Sequence, residues 1–395
     1  MLTNFQKNVI AIIKTAMTKK PLALTDDVDM ESLYKYAQEA QIVPLLYYGL
    51  QDKEGFFDTL IGKKFFMSTM NYMTYSGEQL SELDKVCKCL DEHGVSYMKL
   101  KGSILKKHYE YPEMRTMSDA DILIKLDERD KLKEACATIG YVQVDESDHE
   151  LIYESNPKKL TIEFHKWLIP SYNKDYFEYF GIGWDFAKKV EGKSSEYEMS
   201  DEDFFIYIFA HFAKHYRDSG VGIKYITDFY LYLKIKPELD MSYIVEAFKK
   251  LKMDKFWENV KRLLDNWFED GPSDDVIEHM TVKMFGSGTY GTTEHNFRSD
   301  VLKRSKAGQS NAKITVKKFM QLVFLPYKNM KMLYPVLEKA PILLPFVTVH
   351  RWFCALFFKK SRIKYNMDNV RSINDDDISA HHNELTYVGL DYNFN

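Results

Sequence analysis

Asp119 and Asp121 stand one residue apart at the head of an apolar run, Ile122-Leu123-Ile124. Successive side chains of a strand point to opposite faces, so both carboxylates would share one face while Ala120 and Ile122 share the other. Side by side the two acids repel each other, and loss of water worsens the repulsion unless a cation sits between them. A hard divalent ion with oxygen ligands meets that need. The competing reading is a solvated strand end bearing two surface acids. Glu163 is a third acid in a costly position. The segment Leu160-Thr161-Ile162-Glu163-Phe164-His165-Lys166-Trp167 alternates, with Thr161, Glu163, His165 and Trp167 on one side and Leu160, Ile162, Phe164 and Lys166 on the other. A carboxylate in mid-strand between apolar neighbours needs a balancing charge.

Other residues carry weaker signals. Gly102-Ser103 follows the apolar run Val95 to Leu100. There a glycine permits close backbone approach, and a serine hydroxyl with a helix N-terminus can donate to phosphate oxygens; an ordinary turn is the alternative. Lys99 and Lys101 flank the strand end and Arg115 precedes the aspartates. Such side chains offset the negative charge of phosphates, with surface solvation equally open for Lys99. His165 either orients a carboxylate, contacts a nucleotide, or is a hydrogen-bonded histidine near the site. His211 and His215 have a zinc-compatible spacing, but no Glu follows the first and no third ligand is evident, which favours a hydrogen-bonded or cavity-lining role. Lys224 and Asp228 are four residues apart and can pair along a helix, or face a cleft.

Gly102-Ser103, with Asp119-x-Asp121 leading an apolar strand, resembles the signature of the nucleotidyltransferase superfamily related to DNA polymerase beta. The fuller wording, LKGSILKKHY and then RTMSDADILI, is similar to a bacterial family of uncharacterised nucleotidyltransferases. The resemblance implies that the Gly-Ser pair opens a helix and holds a nucleoside triphosphate. It implies that Asp119 and Asp121 bind Mg²⁺, two ions being expected, and that a third carboxylate arrives on a later strand, for which Glu163 is the candidate. Glu163 would hold the metal nearer the nucleophile or act as general base. Lys101 and Arg115 match positions that the family tends to keep basic, and His165 joins them as a nucleotide-binding candidate. Fifteen residues separate Ser103 from Asp119, longer than the compact form of the motif.

These residues need elements to position them. Helical periodicity marks an N-terminal helical region, residues 1–93, with Asp29 as a cap, Pro44 at an interruption, and a long helix from near Phe57 to His93 that could break at Ser76-Gly77. Residues 94–195 read as the catalytic α/β domain: a strand at Val95–Leu100, an amphipathic piece at Ile104–Tyr109, the aspartate strand, a helix over Asp127–Ile139, short strands at Tyr141–Val144 and Leu151–Glu154, then the Glu163 strand. Residues 196–285 return to helix, with Asp201 as a cap, and would close over the site. Residues 286–370 read as a C-terminal helical region, opened by a small-residue loop at 286–293 and a basic stretch from Arg298 to Lys318. Residues 371–395 read as a flexible acidic tail. The fold class expected is α+β: a small mixed sheet with flanking helices, embedded between helical regions.

Composition narrows the partners. The 395 residues carry 54 Lys and Arg against 58 Asp and Glu, a net charge of −4, which speaks against a general nucleic-acid binder. The four cysteines lack metal spacing and read as reduced thiols. The N-terminal segment reads as an amphipathic helix rather than a signal peptide, and no stretch reaches the length of a membrane span, so a cytoplasmic protein is expected. The function expected is transfer of a nucleoside monophosphate from an NTP to an acceptor hydroxyl or phosphate, with pyrophosphate released. The acceptor is left open among a tRNA, a protein and a small molecule. Two alternatives stand beside it: a non-catalytic NTP-binding regulator of the same fold, and a membrane-peripheral accessory protein acting through residues 313–360.

Overall fold

The structure, a computed structural model, describes residues 1–25, 28–287, 336–358 and 375–390, with Tyr327, Met330 and Tyr334 as single further positions. The described residues up to 287, apart from 217–219, form one unit together with Val388–Leu390. Four helices open it: α1 (Asn4–Thr18), α2 (Met30–Glu39), α3 (Val43–Leu50) and α4 (Leu60–Glu92). Asp29 caps α2 by accepting from the Glu31 and Ser32 amides, and Pro44 sits in the first turn of α3, where its missing N–H leaves no bond unmade. α4 runs without a break through Ser76-Gly77. A helical glycine costs only about 1 kcal/mol relative to alanine, too little to interrupt a long, well-packed helix. One turn on, the Gln79 amide donates to the Met117 carbonyl at 2.8 Å, tying α4 to the loop that delivers the aspartates.

The sheet follows: β1 (Tyr97–Lys99), α5 (Gly102–Leu105), β2 (Asp119–Ile124), α6 (Arg129–Thr138), β3 (Tyr141–Glu146), β4 (Glu150–Ser155), β5 (Thr161–His165), α7 (Lys174–Phe180), β6 (Lys188–Lys189) and β7 (Glu196–Glu198). Its strand order is β3-β4-β5-β2-β1-β7-β6, with β2 parallel to β5, β1 parallel to β7 and the remaining pairs antiparallel. This is the mixed α+β sheet expected. One face is covered by α4 and α6, whose Leu83, Val86, Leu90, Leu132 and Ala135 pack with Ala120, Ile122, Ile124, Ile162 and Phe164. The other face carries the acids. Two differences have physical reasons. α5 is a single turn that passes into a 3-10 turn at Lys106–His108, because Pro112 follows too closely for a longer helix. β6 and β7 carry the sheet past the limit expected at residue 195; they are too short and too rich in Lys and Glu to show alternation, and their pairing with the β1 edge defines them.

Five helices complete this unit: α8 (Asp201–Asp218), α9 (Lys224–Ile235), α10 (Met241–Lys250), α11 (Asp254–Phe268) and α12 (Asp275–Gly286). They share an aromatic core in which Phe205 and Phe209 of α8 meet Phe229, Phe248 and Trp257. The cap of α8 is Ser200 rather than Asp201: its hydroxyl accepts from the Asp203 amide at 3.1 Å and its carbonyl from Phe204. Asp201 instead lies in the first turn, where the helix dipole favours an acid. Ser200→Ala should therefore cost about 0.5–2 kcal/mol, read as a fall of a few degrees in melting temperature, whereas Asp201→Ala should cost less.

The second unit contains helices Val336–Lys339, Leu344–Phe358 and Asp375–Tyr387. The last lies where a flexible tail is expected. The loop at 288–293, the basic stretch Arg298–Lys318 and much of 313–360 lie outside the described residues. Among the described residues no helix is long and apolar enough to cross a membrane.

Candidate active site

The parallel register of β2 and β5 pairs Asp119 with Thr161, Asp121 with Glu163 and Leu123 with His165. Residues directly opposite in neighbouring strands point the same way. The pairing therefore brings Asp119, Asp121, Glu163 and His165 onto one face, from four positions spread over two strands. Asp121 is buried, and its Oδ1 receives the Lys101 ammonium at 2.7 Å and His165 Nε2 at 2.8 Å. His165 Nε2 also lies 3.8 Å from Glu163 Oε2. Asp121, Glu163 and His165 can each offer one ligand atom with all three atoms inside 4.8 Å.

The charges in this group do not balance. Burial would raise the Asp121 pKa, but Lys101 and His165 outweigh it and hold the carboxyl well below the usual range. Asp119 is raised by burial and by the Asp121 charge. Glu163 is pushed up to about 8 by burial and by Asp119 and Asp121, and its carboxyl hydrogen-bonds that of Asp119. Burial and Lys101 hold His165 below its ordinary value, so it is a neutral imidazole whose Nδ1 is buried without a hydrogen-bond partner among the described residues. Burial works against the Lys101 ammonium, yet Asp121 and Glu163 keep it charged beyond the ordinary lysine range. One ammonium thus faces three carboxyl groups, two of which are raised above their ordinary pKa. An all-oxygen set with surplus negative charge fits a hard divalent cation such as Mg²⁺.

Lys101 reaches Asp121 from a backbone at φ +45°, a conformation that costs a non-glycine residue about 1–3 kcal/mol. Gly102 beside it lines the cavity, but Ser103 is buried and its hydroxyl donates to the Leu100 carbonyl at 2.6 Å. In this state the serine supports the turn instead of facing a ligand. Lys99 pairs across β1 with the core-facing Ile122 and makes its ion pair with Glu196, away from the acids.

Asp119, Asp121, Glu163 and His165 form one wall of a cavity of about 330 Å³. Helices α8 and α9 supply the facing wall with His211, Lys214, His215, Lys224 and Asp228. His211 and His215 hydrogen-bond each other through Nε2 atoms 3.2 Å apart, and Tyr225 reaches His211 Nδ1 at 3.3 Å; burial holds His211 well below its ordinary pKa. That is the cavity-lining role preferred for this pair. The Lys224–Asp228 pair does not form. Asp228 is taken instead by Arg115, whose Nε lies 2.9 and 3.0 Å from its two oxygens, and by the Tyr109 hydroxyl at 2.8 Å. Arg115 lines the cavity, but this ion pair and a bond from Nη1 to the Thr116 carbonyl hold it. Lys224 keeps only long bonds, to Thr116 at 3.3 Å and Gln41 at 3.5 Å, and burial with the Arg115 charge lowers its pKa to about 7.

Two polar groups near the site escaped the sequence reading. Lys106, buried and lowered to about 8 by burial and Arg115, donates to the Arg115 carbonyl. Glu150 heads β4, lines the cavity and lies opposite His165 on β5. Starting that strand one residue earlier would have put Glu150 on the acid face by alternation alone.

The site is thus a mixed sheet with acids on one face, a basic turn beside them and a helical wall opposite. The profile of a family described as uncharacterised nucleotidyltransferase matches residues 26–269, more than half of the chain, and the protein belongs to that family. The solution structure of the antibiotic-resistance factor ANT(2'')-Ia is similar over 48% of this chain and 95% of its own, at 13% identity and a TM-score of 0.32. No curated protein matches the chain.

Proposed function

We propose that the protein is a metal-dependent nucleotidyltransferase that moves a nucleoside monophosphate from an NTP to an acceptor, releasing pyrophosphate. The observation that carries this reading is the β2–β5 register, which sets Glu163 beside Asp121 and one pleat from Asp119. Asp119, Asp121 and Glu163 would hold the Mg²⁺, two ions being proposed, as ligands on the acid face. Bound metal would neutralise the triphosphate and lower the pKa of the attacking group. Lys101 would meet the phosphates, with the Gly102 backbone beside it and Lys224 on the facing wall. His165 orients Asp121 through its 2.8 Å bond. As part of the same reading we place the protein in the cytoplasm, in keeping with the free thiols of Cys87, Cys89 and Cys136. The test is incubation with each labelled NTP, Mg²⁺ and a cell lysate. Label appearing in a discrete acceptor only when Mg²⁺ is present supports the reading; EDTA-resistant labelling, or none with any NTP, overturns it.

The pKa pattern adds a prediction about metal binding. Folded Glu163 keeps its proton to a higher pH than the unfolded chain does. Its contribution to metal-free stability is therefore full below the ordinary carboxylate pKa and lost as pH rises through about 8. The same proton must leave before a cation can take the oxygens, so Mg²⁺ affinity should weaken by up to about tenfold per pH unit below that point. The rise in melting temperature caused by millimolar MgCl₂ should be clearly larger at about pH 9 than at about pH 6.5, and Glu163→Gln should flatten the difference. An equal shift at both pH values would remove Glu163 from the ligand set.

A further inference from the structure

Glu150 stands apart from the three acids assigned to metal. Its strand, β4, runs antiparallel to β5 with Glu150 opposite His165, so its side chain emerges on the acid face and borders the same cavity. Its charge is balanced differently. His149 Nε2 lies 2.9 Å from Glu150 Oε2, while His149 Nδ1 lies 3.2 Å from the Ser147 hydroxyl. Both imidazole nitrogens are thus in use, and the ring holds the carboxylate in place. Glu150 Oε1 has no hydrogen bond among the described residues. Burial pushes the Glu150 carboxyl up, but His149, His165 and Lys101 outweigh it and keep the group below its usual range. Asp119 and Glu163 face other acids, whereas Glu150 has its partner in His149.

Resting on the transferase reading above, we infer that Glu150, positioned by His149, is the general base that takes the proton from an acceptor hydroxyl. The acceptor oxygen forms its bond to the α-phosphorus as the bond from that phosphorus to the bridging oxygen of pyrophosphate breaks. The hydroxyl proton passes to Glu150 Oε1 and from there to solvent. The inference also narrows the acceptor. A phosphate monoester, with a second pKa of about 6, is largely ionised near neutral pH and has no use for such a base, whereas an alcohol does. The molecule modified is therefore one that presents a hydroxyl.

The experiment uses the full chain and the acceptor identified by labelled NTP in a lysate. Glu150→Gln keeps the shape and removes the basic oxygen; it should slow transfer by about 10²–10⁴-fold, the usual contribution of a positioned base. Its affinity for the labelled NTP should match wild type within about twofold and its Mg²⁺-induced thermal shift should persist, because the metal ligands themselves are unchanged and the lost Glu150 charge reaches them only through Glu163. Added formate should return part of the rate to Glu150→Ala, and mass spectrometry should find the nucleotide on a hydroxyl oxygen. Transfer by Glu150→Gln at the wild-type rate, loss of its Mg²⁺ response, or a label carried on a phosphate would each overturn the assignment of Glu150 alone. A wild type that labels nothing overturns the transferase reading, and this one with it.

Discussion

Asp121→Asn should abolish nucleotide transfer while the protein remains folded. The substitution removes one negative charge and almost no volume from the centre of the acid group. Losing one preorganised electrostatic partner of a reacting centre costs about 10²–10³-fold in rate, and here the same loss also weakens the site's hold on its cation, so a larger effect is expected. Stability should move far less than the removal of an isolated buried partner would suggest. Breaking a buried ion pair from one side costs about 3–5 kcal/mol, because the remaining charge is stranded. Lys101 is not stranded, since Asp119 and Glu163, relieved of a repelling neighbour, ionise more readily beside it. Far-UV circular dichroism and melting should therefore stay near wild type while labelling disappears and the Mg²⁺-induced thermal shift shrinks. A variant that labels at the wild-type rate would exclude Asp121 from the chemistry.

Asp228→Ala should be the opposite kind of variant, damaging stability first. Asp228 has 2% of its side chain exposed, and it accepts from Arg115 Nε through both oxygens and from Tyr109. Its removal leaves a buried guanidinium facing a buried hydroxyl, with no second acid paired to Arg115 among the described residues. The expected cost is about 3–5 kcal/mol, or a fall in melting temperature of roughly 6–20 °C for a unit of this size. Replacing both charges, as in Arg115→Met with Asp228→Leu, should recover much of the loss, because well-packed apolar residues often serve as well as a buried pair. If Asp228→Ala melts with wild type, the ion pair does not join the sheet to α9 in the way described. The pair also carries a functional consequence. Arg115 can reach a phosphate only by giving up part of this contact, so Lys101 and Lys224 are the better-placed cations of the cavity.

Sequence and structure divide the work along a physical line. Alternation over residues 160–167 placed Glu163 and His165 on one face, and the Asp-x-Asp spacing did the same for Asp119 and Asp121, because the two-residue period of a strand is a local property of the chain. Helices were legible for a like reason: the long run of α4 and the apolar stripe of α8 are patterns of 3.6, and Asp29 acts on amides within three residues of itself. The errors began where a side chain had to choose among distant partners. Asp228 stood four residues from Lys224, the local choice, and took Arg115 more than a hundred residues away. Ser103 had the type and place of a phosphate ligand and turned inward to Leu100. Lys99, for which phosphate binding and surface solvation were both open, is sent by the pleat toward Glu196.

The residue types and their faces were therefore decided in one dimension, including which acids would sit uneasily without a cation. That β5 lies parallel to β2, in the register that sets Glu163 beside Asp121, was decided only in three. The reason is that pairing between strands separated by some forty residues is selected by burial of the shared apolar face, Ala120, Ile122, Ile162 and Phe164, and no local pattern encodes which strand will be the neighbour. Glu150 came to the site by the same route, carried there by the pairing of β4 with β5.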